Sequence, residues 1–363
     1  MLVLEGKAKI KTDESTFYNP KMRGLRDLSI LFLNAMDMKK YSLLDATSAT
    51  GVRGIRYVLE AGAGETTFLE INRKAYLNAK KNVSQNSISA SVLNESIQQF
   101  CNTNDESFDA IDLDPFGSAA PYIYDIMKVA RDGTLLMVTA TDTAVLCGAD
   151  FNACVKNYAS LPLHNELCHE AAVRILVNYI AKVASQFNFG LEVKLSIANL
   201  HYVRIFLTLR HGAKGAVESV KETGFGTFCS KCRSFELSKG IVPRLERSCK
   251  NCGSEAYLFG PLWLGKLSDA KVVDKMRASA PKQLEKGTLE LLQRLDEELE
   301  TPFFYSIPKI TRLLGIGAVS REKVMQILKK KHRVSRTHFD LDGIKSDANI
   351  REVTRAVKLA AKA

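Results

Sequence analysis

Tyr41-Ser42-Leu43-Leu44-Asp45-Ala46-Thr47-Ser48-Ala49-Thr50-Gly51-Val52-Arg53-Gly54 is the stretch on which the fold turns. Tyr41–Ala46 is a short apolar strand, and a helix over Gly54–Ala61 follows. The glycine-bearing turn between them brings backbone close to a ligand at the helix N-terminus. It is not Gly-x-Gly-x-x-Gly, which argues against a dinucleotide, and it lacks the Lys-Ser/Thr of an ATP-binding loop. Glu70 follows Gly54 by 16 residues, at the end of the next strand. An acidic side chain there accepts the ribose hydroxyls of a nucleoside ligand; the plainer alternative is a surface carboxylate at a strand end.

The alternation continues on both sides. Asp27–Met38 has helical apolar spacing, Thr66–Ile71 is a strand, Lys74–Val83 a helix, and Ser91–Leu93 and Phe108–Leu113 further strands. Tyr122–Ala130 is helical and Gly133–Ala140 is a strand. Strand and helix in turn predict an open parallel α/β sheet with helices on both faces. A long helix over Leu167–Phe187 precedes two strands, Leu191–Asn199 and Tyr202–Arg210, which suit an antiparallel edge. Residues 1–20 are polar and irregular, and 211–228 look loop-rich. Asp269–Met276, Pro281–Glu300, Pro308–Leu314 and Ser320–Lys331 are helical. Val334–Lys345 suits a hairpin around Asp342-Gly343, so the end, 303–350, resembles a winged-helix unit.

Charge divides the chain. Residues 1–210 hold 22 basic and 22 acidic residues; residues 211–363 hold 29 and 18, and so the whole formal excess of +11. A neutral half beside a basic half suits an enzyme whose second half, 211–363, grips a polyanion. Lys329-Lys330-Lys331-His332-Arg333, between a helix and the expected wing, is a fair site for phosphate contact. No apolar run reaches the roughly 18 residues of a membrane span. The apolar Ala171–Phe187 carries Arg174 and Lys182. With no secretory signal pattern, a cytoplasmic protein with no membrane and no obligate protein partner is expected.

The sharpest local signal is Ile111-Asp112-Leu113-Asp114-Pro115-Phe116-Gly117. Asp114 falls just past a strand's carboxyl end, where ligands bind in such sheets. Pro115 stiffens the turn, and Phe116 offers a face for a base to stack on. An aryl amine is a poor nucleophile because its lone pair is delocalised. Hydrogen bonds from its N–H groups to a carboxylate raise electron density on nitrogen and aim it, and the same carboxylate stabilises the developing positive charge. An ordinary Asp-Pro strand-ending turn is the bland alternative.

Of eight cysteines, four are grouped: Cys229-x2-Cys232 and, after sixteen residues, Cys249-x2-Cys252. That spacing fits a structural four-thiolate zinc insert over 229–252. Disulfides are disfavoured in a reducing compartment. Cys168-His169-Glu170 reads as a satisfied helix face, since no oxyanion-forming loop accompanies it to support a Cys-His nucleophile.

Taken together, the segments resemble the tRNA (guanine-N2-)-dimethyltransferases that act on nucleotide 26. The matching stretches are Phe17-Tyr18-Asn19-Pro20 with Arg26-Asp27, residues 45–54, residues 111–118, Thr139-Ala140-Thr141-Asp142 with Leu146-Cys147-Gly148, residues 166–170, residues 260–265, and Arg336-Thr337-His338-Phe339 with Gly343-Ile344-Lys345. The resemblance implies a Rossmann-like class I methyltransferase domain over 1–210, bound to S-adenosylmethionine, and a C-terminal α+β tRNA-binding domain. It implies Asp114 as the catalytic residue, with Phe116 and Phe17 sandwiching an extruded guanine. Arg26, Asp45, Gly51, Arg53, Glu70 and the stretch Glu95, Ser96, Ile97 are implied for the cofactor. Competing readings are an amino-methyltransferase for DNA adenine or a ribosomal base, and a non-catalytic RNA-binding protein on the same fold.

Overall fold

The alternation that starts at residue 41 builds a seven-stranded sheet in the computed structural model, which describes residues 1–12, 16–199, 201–281 and 284–362. A hairpin comes first, β1 (Leu2–Glu5) and β2 (Ala8–Lys11), then α1 (Arg23–Ala35). Next, β3 (Tyr41–Asp45), α2 (Val52–Ala61), β4 (Ala63–Leu69), α3 (Arg73–Gln85) and β5 (Ser91–Leu93) alternate. They are followed by α4 (Ile97–Thr103), β6 (Phe108–Leu113), α5 (Ala120–Lys128) and β7 (Ala130–Ala140). Two short helices, α6 (Thr143–Leu146) and α7 (Phe151–Tyr158), lead to α8 (Cys168–Ser185), β8 (Phe189–Asn199) and β9 (Tyr202–His211). The strand order is β5-β4-β3-β6-β7-β9-β8. Pairing is parallel from β5 to β7, and β9 runs antiparallel to both β7 and β8.

This order puts the topological reversal between β3 and β6. Ligands bind outside the carboxyl ends of strands at such a point. The turns after these two strands are the two stretches singled out above. β6 is covered on both faces, so it reads as a nearly continuous buried run, broken only by charged residues with partners.

Beyond β9 come α9 (Ala213–Lys221), β10 (Thr223–Phe228), β11 (Phe235–Lys239) and β12 (Tyr257–Trp263), the strands forming a sheet in the order β11-β10-β12. Then follow α10 (Ala270–Ser279), α11 (Lys286–Glu297), β13 (Tyr305–Ser306), α12 (Ile307–Leu314), α13 (Arg321–Leu328), β14 (Val334–Arg336), β15 (Gly343–Ser346) and α14 (Ile350–Ala360). The last three strands pair in the order β13-β15-β14.

Several expectations are corrected. The first residues are not irregular: Ala8 and Ile10 alternate with exposed lysines and are fully buried, so β1 and β2 form a hairpin. Residues 13–15 lie outside the described residues. The stretch 211–228 is helix and strand rather than loop. Its glycines resemble turn residues, yet a Cβ at Gly226 would lie 2.1 Å from the Phe259 ring and one at Gly224 would lie 2.2 Å from Leu264. They are glycines of close packing, which composition alone does not distinguish from turn glycines. The helix expected over Pro281–Glu300 is Lys286–Glu297, with 282 and 283 outside the described residues. The hairpin expected around Asp342-Gly343 has a longer connection: Arg336 pairs with Ile344, and Gly343 already belongs to β15. α14 was missed despite its capping box, Asn349 with Glu352.

Packing crosses residue 210. Phe228, Phe259, Leu262, Trp263, Phe303, Phe304 and Phe339 join the cluster that covers one face of the large sheet, with α5 and α8. Val272, Val273, Met276, Leu292 and Leu295 join the cluster on the other face, under α1. Each such burial stabilises by roughly 1.5–3 kcal/mol relative to exposure. The same crossing carries charge. Glu170 on α8, fully buried, accepts from Arg174 at 2.7 Å, from the Phe303 N–H at 2.7 Å and from Lys345 of β15 at 3.3 Å. Lys345 also meets Glu298, at 3.0 Å. No helix among the described residues is long and apolar enough to cross a membrane.

Candidate active site

The turn after β3 is set by its own backbone. Gly51 stands at φ +77°, a left-handed conformation natural to glycine, and starts α2. The Ser48 hydroxyl bonds to the Asp45 and Leu69 carbonyls at 3.1 and 2.9 Å, fixing the turn to β4. Gly54 is glycine for a different reason: a Cβ there would be 2.4 Å from Phe68. Asp45 lies beneath the turn and accepts the Gly54 N–H at 3.0 Å. Burial, then Asp112 nearby, pushes its carboxyl up to about 7. Asp45 and Gly51 therefore shape the turn from behind, and neither lines the cavity in front of it.

That cavity measures about 760 Å3, within the usual range for a small-molecule site. Phe17, Arg26, Arg53, Glu70, Glu95, Ser96, Ile97, Asp114 and Phe116 all line it, so nine of the eleven non-metal candidates converge. Glu70 lies just past β4, and its two oxygens accept the Ala49 and Asn72 N–H groups at 2.8 and 2.7 Å. It thereby ties the glycine turn to the start of the next helix at the cavity lining. Ser96 caps α4 through the Gln99 N–H at 3.1 Å, and Ile97 begins that helix.

The catalytic candidate is anchored from two sides. The Asp114 N–H donates to the Thr47 hydroxyl at 2.9 Å, and the Asp114 carboxylate accepts from Arg53 at 2.5 Å. Burial opposes its ionisation, but Arg53 first and Arg204 second outweigh burial and hold the carboxyl below the usual carboxylate range. It is thus a charged acceptor at neutral pH. The turn continues through Gly117 at φ +87°, where a Cβ would meet nothing within 4 Å, so conformation alone calls for glycine. Gly117 and Thr141 exchange bonds: N–H to hydroxyl at 2.7 Å, and Thr141 N–H to the Gly117 carbonyl at 2.9 Å. Phe116 is left 94% exposed and Phe17 67% exposed, two rings beside the same opening.

Arg26 is held by Glu5, with bonds of 2.6 and 2.5 Å, and reaches the Asn19 carbonyl at 3.2 Å. Burial opposes the charge on Glu5, yet Arg26 dominates and lowers its carboxyl to about 2. Arg26 therefore fastens the N-terminal hairpin to α1 at the cavity edge. Sequence reasoning missed Glu5. It also missed the fully buried Arg204, which bonds Asp112 at 2.9 and 2.6 Å and Thr139 at 2.8 Å, with Tyr57 on Asp112 at 2.6 Å. The available signal was an arginine in the middle of the apolar run of β9. His201, Tyr122 and Thr141 are further lining residues.

The four grouped cysteines converge, all sulfurs within 4.8 Å of one another, with Cys229–Cys252 at 3.6 Å and Cys232–Cys249 at 3.5 Å. Two matched knuckles present them. The Arg233 and Gly253 N–H groups each donate to the first cysteine's carbonyl at 2.8 Å, and both residues are left-handed. Where the second knuckle uses glycine, the first uses Arg233, which bonds Glu166 at 3.0 Å and so fastens the insert to the region before α8.

A sheet of this order, with its chemistry on the turns flanking the reversal, defines a methyltransferase fold. Comparison of the whole chain is more specific. The family described as N2,N2-dimethylguanosine tRNA methyltransferase matches residues 1–358, and the chain belongs to that family. The tRNA (guanine(26)-N(2))-dimethyltransferase of Methanothermobacter thermautotrophicus is 37% identical over 355 residues, covering 95% of this chain and 93% of that protein. The Pyrococcus horikoshii protein of the same name is 37% identical over 373 residues, 95% of each. The solved complex of Trm1 from Pyrococcus horikoshii with S-adenosyl-L-methionine superposes with a TM-score of 0.90 at 35% identity, covering 98% of this chain and 99% of that one.

Proposed function

We propose that this chain methylates the exocyclic N2 of guanine at nucleotide 26 of tRNA, adding one and then a second methyl, with S-adenosyl-L-methionine as donor. The observation that carries the proposal is the juxtaposition of Asp114, ion-paired with Arg53, and two exposed rings at one cavity that the turn after β3 and Glu70 also line. Glu70 is the acceptor for the ribose hydroxyls, and Glu95, Ser96 and Ile97 border the nucleobase end. Arg53 and Arg26 organise the pocket. The donor, when bound, supplies a methyl on a sulfonium sulfur. Asp114 accepts the amine N–H, orients the lone pair and stabilises the positive charge developing on nitrogen. Arg53 keeps that carboxylate ionised. Phe116 and Phe17 receive the two faces of the extruded base. Incubating unmodified tRNA with the donor and digesting it to nucleosides tests this: mass spectrometry should find N2-methyl- and N2,N2-dimethylguanosine, and neither when G26 is replaced by adenosine.

The four cysteines, on this proposal, hold one structural zinc. Their sulfur separations suit bonds of about 2.3 Å, for which tetrahedral geometry sets sulfurs about 3.8 Å apart. Removing it in a Cys229→Ser, Cys249→Ser double variant is expected to abolish the metal of that site and lower the thermal midpoint. Unchanged zinc content on elemental analysis overturns this assignment.

The basic half, 211–363, is assigned the grip on tRNA, with a winged-helix-like end whose strands pair as β13-β15-β14. Lys329, Lys330 and Lys331 are exposed after α13, whereas Arg333 is paired with Asp347. Changing the three lysines to Ala should weaken tRNA binding and reduce the dependence of log affinity on log salt by roughly one unit for each phosphate no longer neutralised. An unchanged slope in a salt titration removes this segment from the interface.

A further inference from the structure

Cys147 follows α6 directly and is buried; Cys168 and His169 open α8. The two cysteines are far apart in sequence, and no spacing motif joins them. Folding nevertheless brings their sulfurs and a ring nitrogen of His169 within 4.8 Å of one another. The Cys147 sulfur lies 3.7 Å from His169 Nδ1, and both thiols are free. The backbone around them is fixed: the Cys147 N–H bonds the Thr143 carbonyl at 2.8 Å, and the His164 ring meets the Cys147 carbonyl at 3.1 Å. Asp340 lies in the connection between β14 and β15 and acts on His169 through its charge, favouring the protonated ring, while burial disfavours it.

Two sulfurs and an imidazole nitrogen are the donor set of a thiophilic d10 cation. Bonds of about 2.3 Å to sulfur and about 2.0 Å to nitrogen require separations of roughly 3.5–3.8 Å between donors; the Cys147 sulfur and His169 Nδ1, 3.7 Å apart, meet this, and the remaining separations are within 4.8 Å. A disulfide would need only the two sulfurs; a third donor within 4.8 Å of both is what a metal needs.

We propose that Cys147, Cys168 and His169 form a second metal site, distinct from the four-cysteine cluster, that takes Zn2+ through two thiolates and one imidazole. Binding releases the two thiol protons, and the fourth position is left to water. The ion would staple the end of α6 to the start of α8. Asp142 leads into α6, and its carboxylate accepts from the Tyr158 hydroxyl at 2.8 Å; Tyr158 in turn meets the Ser118 hydroxyl at 2.6 Å, next to Gly117. The site therefore stiffens the support behind the catalytic turn and takes no part in methyl transfer itself.

The test counts metal in the full chain, purified reduced, equilibrated with Zn2+ and desalted. Cys147→Ser and, separately, His169→Asn are each expected to lose one zinc per chain relative to the unchanged protein. The zinc that depends on Cys249 should remain in both. Cobalt loading should give thiolate-to-cobalt absorption that is weaker in Cys147→Ser than in the unchanged chain. Equal zinc in all three proteins, or an intact mass two hydrogens low with a Cys147–Cys168 cross-link in the reduced preparation, overturns the site. If the four-cysteine assignment alone fails, the count falls with Cys147→Ser and is indifferent to Cys249→Ser, so the two failures are told apart.

Discussion

Asp114→Ala is expected to lower methyl transfer to tRNA by at least about a hundredfold, the scale of losing one preorganised electrostatic group. Three features make this a loss of chemistry rather than of fold. The Asp114 carboxylate is anchored by Arg53 at 2.5 Å but is itself partly open to the cavity. The turn after β3 keeps its own supports, the Ser48 hydroxyl and the two Glu70 bonds. Arg53 retains Asp112 at 3.8 Å, so its charge is not left uncompensated. Calorimetric titration with S-adenosylmethionine should therefore give nearly the same affinity in the variant, while single-turnover methylation falls. A rate within tenfold of the unchanged enzyme refutes the role given to Asp114.

Glu170→Ala is expected to cost about 3–5 kcal/mol of stability, the usual penalty for removing one partner from a buried ionic group. The carboxylate is fully buried and serves Arg174, Lys345 and the Phe303 N–H together. Without it, two cations and one backbone donor remain in the interior. Lys345 keeps Glu298, which limits the loss. Equilibrium urea unfolding measures the change; a loss below about 1 kcal/mol would show that the two halves of the chain are not coupled through this carboxylate.

Legibility in the sequence followed range. The glycine turn, the Asp-Pro-Phe turn and the cysteine pairs are local: each residue's role depends on neighbours a few positions away. They could be read before any fold was known. The place of Glu70 at the cavity was legible because strand ends recur at regular intervals in an alternating sheet. Glu5 and Arg204 were not, because their partners are distant in sequence: Arg26 is 21 residues from Glu5, and Asp112 is 92 residues from Arg204. A charged residue in a strand says that a partner exists and does not say which. Gly224 and Gly226 failed for a similar reason, since their cause is the Leu264 and Phe259 side chains lying across them. The charge boundary at residue 210 was visible, while the aromatic packing that crosses it was not.

That crossing sets an order on synthesis. Glu170 must wait for Lys345, 175 residues later, and the faces of the large sheet wait for Trp263, Leu292 and Phe303. At about 5–20 residues per second on the ribosome, the interval is on the order of ten to thirty seconds. Throughout it the carboxylate lacks one of its cations, and for the earlier part, until Trp263, Leu292 and Phe303 are made, the sheet faces lack those apolar covers. The turns after β3 and β6 emerge early, but the residues that close the body around them come only with β12, α11 and β15.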